Sequence, residues 1–174
     1  MTDHNTVNKV RAVAEGKILI IERSFQAPRE LVFTAFSEQE HLEKWWGPKG
    51  WQTKSVSFEF KPGGIWHYCM TCTDPNMGEY YQQESWGKML FHEMIVPEKI
   101  VYTDVFCDKD GNSVEDMPEM SASMVFTEQE GVTKVTIKTE FPSVEALQKA
   151  MEMGVVEGVS SQYERLDELL TKIG

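Results

Sequence analysis

Apolar and polar residues alternate along most of this chain, and the spacing changes to three and four near its end. Residues 17–26, KILIIERSFQ, carry a β-branched apolar run and predict a strand. Ala27-Pro28 breaks that run. PRELVFTAFS then places Leu31, Val32, Ala35 and Phe36 on one helical face, with Pro28 suited to the first helical position. EQEHLEKWW predicts a second short helix that stops at Gly47-Pro48. Further strands are predicted over 51–60, with Val56, Phe58 and Phe60 in phase, and over 65–73, 98–107, 120–128 and 132–141. Another covers 79–96, where an internal break stays open. Pro62-Gly63-Gly64, Asp74-Pro75-Asn76, the loop 108–119 and a turn ending in Gly131 separate them. About seven strands with hairpin-type connections point to an antiparallel sheet.

The end of the chain differs. Pro142-Ser143 marks a helix start with Ser143 as N-cap. Apolar residues then recur at 144, 147, 151, 155, 159, 163, 166, 170 and 173. Every step is three or four, so the pattern predicts one amphipathic helix of about 30 residues, roughly 45 Å long. A sheet with one apolar face needs cover, and only this helix is long enough to cross it. The fold class is α+β: a curved antiparallel sheet around a long C-terminal helix, with two short helices after the first strand. Residues 17–174 form this domain and 1–16 an N-terminal arm.

The length, 174 residues, is that of one domain with a real core. The net charge of −11 opposes binding to nucleic acid and to anionic membrane surfaces. No apolar run is long enough to enter a membrane as a helix, and the first residues lack a signal-peptide core. Three cysteines are too few and odd for a disulfide framework, which with the missing leader makes the cytoplasm the expected location.

Gly154 and Gly158 fall inside the predicted helix, where each costs about 1 kcal/mol relative to Ala. Two readings stand: close helix–sheet packing, or space kept for a ligand. Strand alternation puts Trp66, Tyr68 and Met70 on one face, and pairs Ile100 with Tyr102, Met124 with Phe126, and Val135 with Ile137. Such residues build either a large core or an apolar pocket with polar tips, and periodicity does not separate the two.

The runs LEKWWGPKGW (42–51), KPGGIWHYCM (61–70), VPEKIVYTD (96–104), GVTKVTIKTEF (131–141) and SSQYERLDELL (160–170) together resemble the activator-of-heat-shock-ATPase-like branch of the START/Bet v 1-like superfamily. The resemblance covers about residues 17–172. It implies the helix-grip fold and a hydrophobic cavity between sheet and long helix. It also implies binding of lipids, sterols, polyketides or other apolar small molecules. Some members of the superfamily are cyclases or aromatases. One eukaryotic branch stimulates the ATPase of the ninety-kilodalton heat-shock chaperone beside a second, N-terminal domain. This chain has no room for that domain, which argues against a chaperone partner. WWGP and PGG are fold-forming motifs and carry over no catalytic residue.

The expected function is therefore binding of a small hydrophobic or aromatic molecule. Its expected contacts are Trp66, Tyr68, Met70, Trp86, Tyr102, Met124, Phe126, Val135, Ile137, Met151, Val155, Gly158 and Val159. A cyclase or hydrolase using the same cavity is the first rival, and a co-chaperone module the second. Glu84, Glu93 and Asp104 are the candidate general acids of the enzyme reading, with nothing to choose between them. One of Trp45 and Trp46 is a candidate for the pocket mouth. The histidines His4, His41, His67 and His92 read as surface residues.

No cofactor and no metal are expected. Cys69 and Cys72 lie three apart within a strand and so face opposite sides. The loop 108–119 resembles a calcium loop at Asp108, Asp110, Asn112 and Glu119. It has Ser113 where glycine is needed, and Pro118 before the last ligand. A homodimer is left open, without a located interface.

Overall fold

The computed structural model describes residues 9–115, 117 and 119–174. His4, the rest of 1–8 and Pro118 lie outside the described residues. The elements in chain order are β1 (Arg11–Glu15), β2 (Ile18–Phe25), α1 (Arg29–Ser37), α2 (Gln39–Trp45), β3 (Trp51–Phe58) and β4 (Ile65–Cys72). A 3-10 turn (Pro75–Tyr80) leads to β5 (Glu84–Ile95), β6 (Lys99–Phe106), β7 (Met120–Gln129) and β8 (Val132–Glu140). Two helices end the chain, α3 (Val144–Glu152) and α4 (Val155–Ile173). The strands form one antiparallel sheet in the order β1-β2-β8-β7-β6-β5-β4-β3. Its inner face packs on α1, α2 and α4 around Phe25, Trp45, Trp66, Phe126, Tyr163 and Leu166, so the architecture is the helix-grip.

Three local features depart from the sequence pattern. An eighth strand, β1, occupies part of the expected arm and pairs with β2 from Arg11↔Glu22 to Glu15↔Ile18. Its five residues are all exposed, so it carries no burial signal. Val56 points to solvent, because the β3–β4 register shifts between Ser55 and Ser57. That bulge inverts the alternation, leaving Phe58 in phase with the core and Val56 out of it. In α1, Phe33 is buried and Leu31 only half-buried, since the helix is covered on more than one side.

The C-terminal helix is the largest correction. It is not one rod but two helices, broken at Met153-Gly154. Gly154 sits at φ 89°, in the left-handed region where a Cβ is strained. Ser143 does cap α3, its Oγ accepting from the Ala146 amide at 3.1 Å. The apolar spacing continues unbroken through the interruption, which is why the spacing does not reveal it.

α4 is also tied to the loop after α2. The Arg165 guanidinium donates to the carbonyls of Gly47 (2.8 Å), Trp51 and Lys44 (both 3.0 Å), with those of Trp46 and Pro48 within 3.3 Å. Gln162 Oε1 accepts from the Gly47 amide at 2.8 Å and Ser161 Oγ from the Lys49 amide at 3.0 Å. One planar side chain thus gathers the carbonyls around the WWGP turn, of which Trp46 O also accepts from Thr53 Oγ1 and Pro48 O from the Trp51 amide.

Candidate functional site

Between the sheet's inner face and the start of α4 lie two adjoining hollows, of about 260 and 170 Å3. Both are lined by Trp46, Asp104, Val155, Val159 and Gln162. Together they reach the lower end of small-molecule sites, roughly 300–1,000 Å3. A wider groove of about 660 Å3 adjoins them at Val155, with Met117, Met120, Ala150 and Met153 in its wall. A Cβ built on Gly158 meets nothing within 4 Å. Gly158 therefore does not serve close packing; it leaves room beside the larger hollow that it lines.

The expected contacts divide. Tyr68, Met70, Val155, Gly158 and Val159 line the larger hollow, and Tyr102, Met124, Ile137, Val155 and Val159 the smaller. Trp66, Phe126 and Val135 line neither. Trp66 borders only a gap of about 10 Å3, too small for a ligand. Phe126 is filled in by Phe33 and Phe36, with ring centroids at 5.1 and 5.2 Å. Val135 is wholly buried in the same core. Met151 is 38% exposed, because the break at Gly154 takes α3 out of phase with α4. Trp86 borders the larger hollow, yet it pairs with Cys69 and its ring lies 5.7 Å from His67 on the outer face.

Residues that the sequence left among alternatives complete the site, together with Gln162, which it did not single out. Trp46 lines both hollows, whereas Trp45 is buried with its Nε1 donating to Ala35 O at 2.9 Å. Of the three candidate acids, Glu84 and Glu93 are exposed and Asp104 faces inward. The parity was legible: Ile100, Tyr102 and Asp104 share one face of β6. Asp104 sits between Met89 of β5 and Met120 of β7 in the sheet register. Burial pushes its carboxyl up to about 6, against a smaller lowering by the Val105 amide. Its residual accessible area is the wall of the hollow. Burial, and then the negative charge of Asp104, push the Tyr68 and Tyr102 hydroxyls well above the usual tyrosine range.

The outer face is closed differently. His67 is buried there, not exposed, with Nε2 3.1 Å from Asp108 O. Lys88 Nζ donates to Gly111 O at 2.8 Å, so the loop 108–112 folds over the sheet. Asp108 spends its carboxylate on that loop, accepting from the Asp110 and Asn112 amides at 2.9 Å each. Those bonds hold its carboxyl below the ordinary value. Cys69, Cys72 and Cys107 are free and buried. Among the described residues no helix is long and apolar enough to cross a membrane.

Comparison with known proteins agrees with this architecture. A crystal structure of a Mycobacterium smegmatis protein is 31% identical, covers 94% of this chain and 96% of its own, and superposes with a TM-score of 0.80. Solution structures from Arthrobacter aurescens and Staphylococcus epidermidis are each 29% identical. The first covers 95% of this chain and 92% of its own at a TM-score of 0.82, the second 94% of each at 0.81. No curated protein matches the chain. The family model described as activator of Hsp90 ATPase homolog 1-like protein matches residues 26–171. That span runs from the end of β2 to the last turn of α4, and the chain belongs to this family, within the START-like, helix-grip superfamily.

Proposed function

We propose that this protein binds a small apolar or aromatic molecule in the two hollows beside α4. The observation that carries the reading is the open space at Gly158, next to walls of Trp46, Tyr68, Met70 and Val159. A glycine inside a helix costs about 1 kcal/mol relative to Ala, and here no neighbour demands it. Burial of the ligand's apolar area, at about 25 cal/mol per Å2, supplies the affinity. The test is titration with the neutral fluorophore N-phenyl-1-naphthylamine. Saturable, blue-shifted emission is expected from the wild type. Gly158→Leu, whose side chain fills the hollow, loses it while keeping its circular dichroism. A folded Leu variant with undiminished emission would place the fluorophore elsewhere and end this reading.

One observation favours a second reading, that of an enzyme using the same hollows. A carboxyl that titrates near 6 inside an apolar site is matched to proton transfer. Incubating a bound molecule in deuterated buffer tests this by proton NMR. Exchange of a carbon-bound proton that vanishes in Asp104→Asn supports it, and an unchanged spectrum rules it out.

A further inference from the structure

The hollows have a lopsided electrostatic composition. Asp104 is the one charged side chain among the described residues that line them, and no Lys, Arg or His joins it. No ion pair holds its carboxylate; the nearest inward neighbours across the sheet are Met89 and Met120. Around it stand neutral groups, most of them aromatic: Trp46 and Gln162 share both hollows with Asp104, Tyr68 lines the larger and Tyr102 the smaller. The smaller hollow also holds Tyr163, whose buried hydroxyl has no hydrogen-bond partner among the described residues.

This composition discriminates between head groups. A ligand carboxylate would lie beside a second carboxylate in a site with no cation, and like charges in a poorly solvated space repel strongly. A neutral alcohol would gain one hydrogen bond to the carboxylate, without the attraction between opposite charges. An ammonium gains a charge-assisted bond to Asp104 and attraction to the faces of nearby rings. The net charge of −11 further raises the local concentration of cations. From this geometry we infer that the ligand is an amine: an aromatic or apolar body carrying a protonated amino group that pairs with Asp104. The inference rests on the proposed binding in the hollows and deepens it by naming the ligand class. Fatty acids and other anionic amphiphiles are excluded by the same argument. The upward displacement of the carboxyl is what a carboxylate without a cation undergoes, and an ammonium partner reverses it.

Three isosteric probes isolate the head group: tryptamine, tryptophol and indole-3-acetate. Calorimetric titration of the full chain at pH 7.5 is expected to rank them amine, alcohol, acid. The amine should bind at least ten-fold tighter than the alcohol, and the acid at least ten-fold weaker than the alcohol. Asp104→Asn should bring amine and alcohol within about two-fold. This ranking needs no variant, so it stands even where a substitution perturbs folding. Equal affinities, or an acid that binds as well as the amine, overturn the inference. So does an amine preference that survives Asp104→Asn. N-phenyl-1-naphthylamine separates the two levels. If it binds in a Gly158-dependent way while the indoles show no amine preference, or do not bind at all, only the head-group inference falls. If it fails as well, the hollow reading falls and takes this one with it.

Discussion

Replacing Asp104 by Asn should make the protein more stable at pH 8 and leave its stability nearly unchanged at pH 4. The carboxyl's ordinary value is 3.8, and in the fold it stands at about 6. Its folded value is raised, so the folded state holds the proton more tightly than the unfolded chain. The associated stability is fully present below pH 3.8 and is lost as the pH rises through 6. At about 1.4 kcal/mol per pH unit, the full loss is about 3 kcal/mol. The carboxyl faces a hollow that water can reach, which screens the charge and lowers the figure to about 1–3 kcal/mol. Asn keeps the shape and removes the ionisation. The assay is urea unfolding of wild type and variant at half-unit steps from pH 4 to 8. Taking the difference between the two chains cancels the other carboxylates, which titrate in both. The variant should gain about 1–3 kcal/mol relative to wild type, most of it accruing between pH 4 and 6 and levelling off above. A difference that stays flat across this range would show that Asp104 ionises as freely in the fold as in water. The electrostatic account of the site would then be wrong.

Substitutions at three further positions probe separate parts of the framework. Gly158→Ala should stabilise the protein by about 0.5–1 kcal/mol in a thermal melt, since the helix gains a better former and the new methyl meets open space; destabilisation would restore the close-packing reading. Arg165→Ala should cost about 2–4 kcal/mol by removing the guanidinium donor from the carbonyls of Lys44, Gly47 and Trp51. Arg165→Lys should recover less than half of that, because an ammonium lacks the planar fork. Gly64→Ala should abolish soluble expression or cost more than 3 kcal/mol, because its Cβ would stand 2.0 Å from the Glu59 carbonyl oxygen.

Patterns with a local cause were readable in the sequence, and patterns with a tertiary cause were not. The run at 17–26 and the alternation of Trp66, Tyr68 and Met70 report which face is covered, and the sheet follows from them. They do not report whether the cover is tight. Phe126 and Val135 carry the same apolar signal as Met124 and Ile137, yet α1 fills the space over the first pair and leaves a gap over the second. Met151 was assigned by extending one helical phase through Gly154, and a single left-handed residue resets that phase. Asp104 was visible as a charge on the inward parity of β6. Nothing in the sequence shows that its neighbours across the sheet are Met89 and Met120 and not a lysine.

The hinge at Gly154 divides the C-terminal segment into two parts of unequal tenacity. α4 anchors itself with Tyr163, Leu166, Leu169 and Leu170, whereas α3 buries only Leu147. Peeling α3 off the sheet therefore sacrifices little, and α4 keeps its grip while it happens. Deuterium should enter the amides of 147–152 well before those of 163–170. Each such excursion would uncover Val155, where the outer groove meets the inner hollows, and so give the proposed ligand an entry that leaves the domain folded.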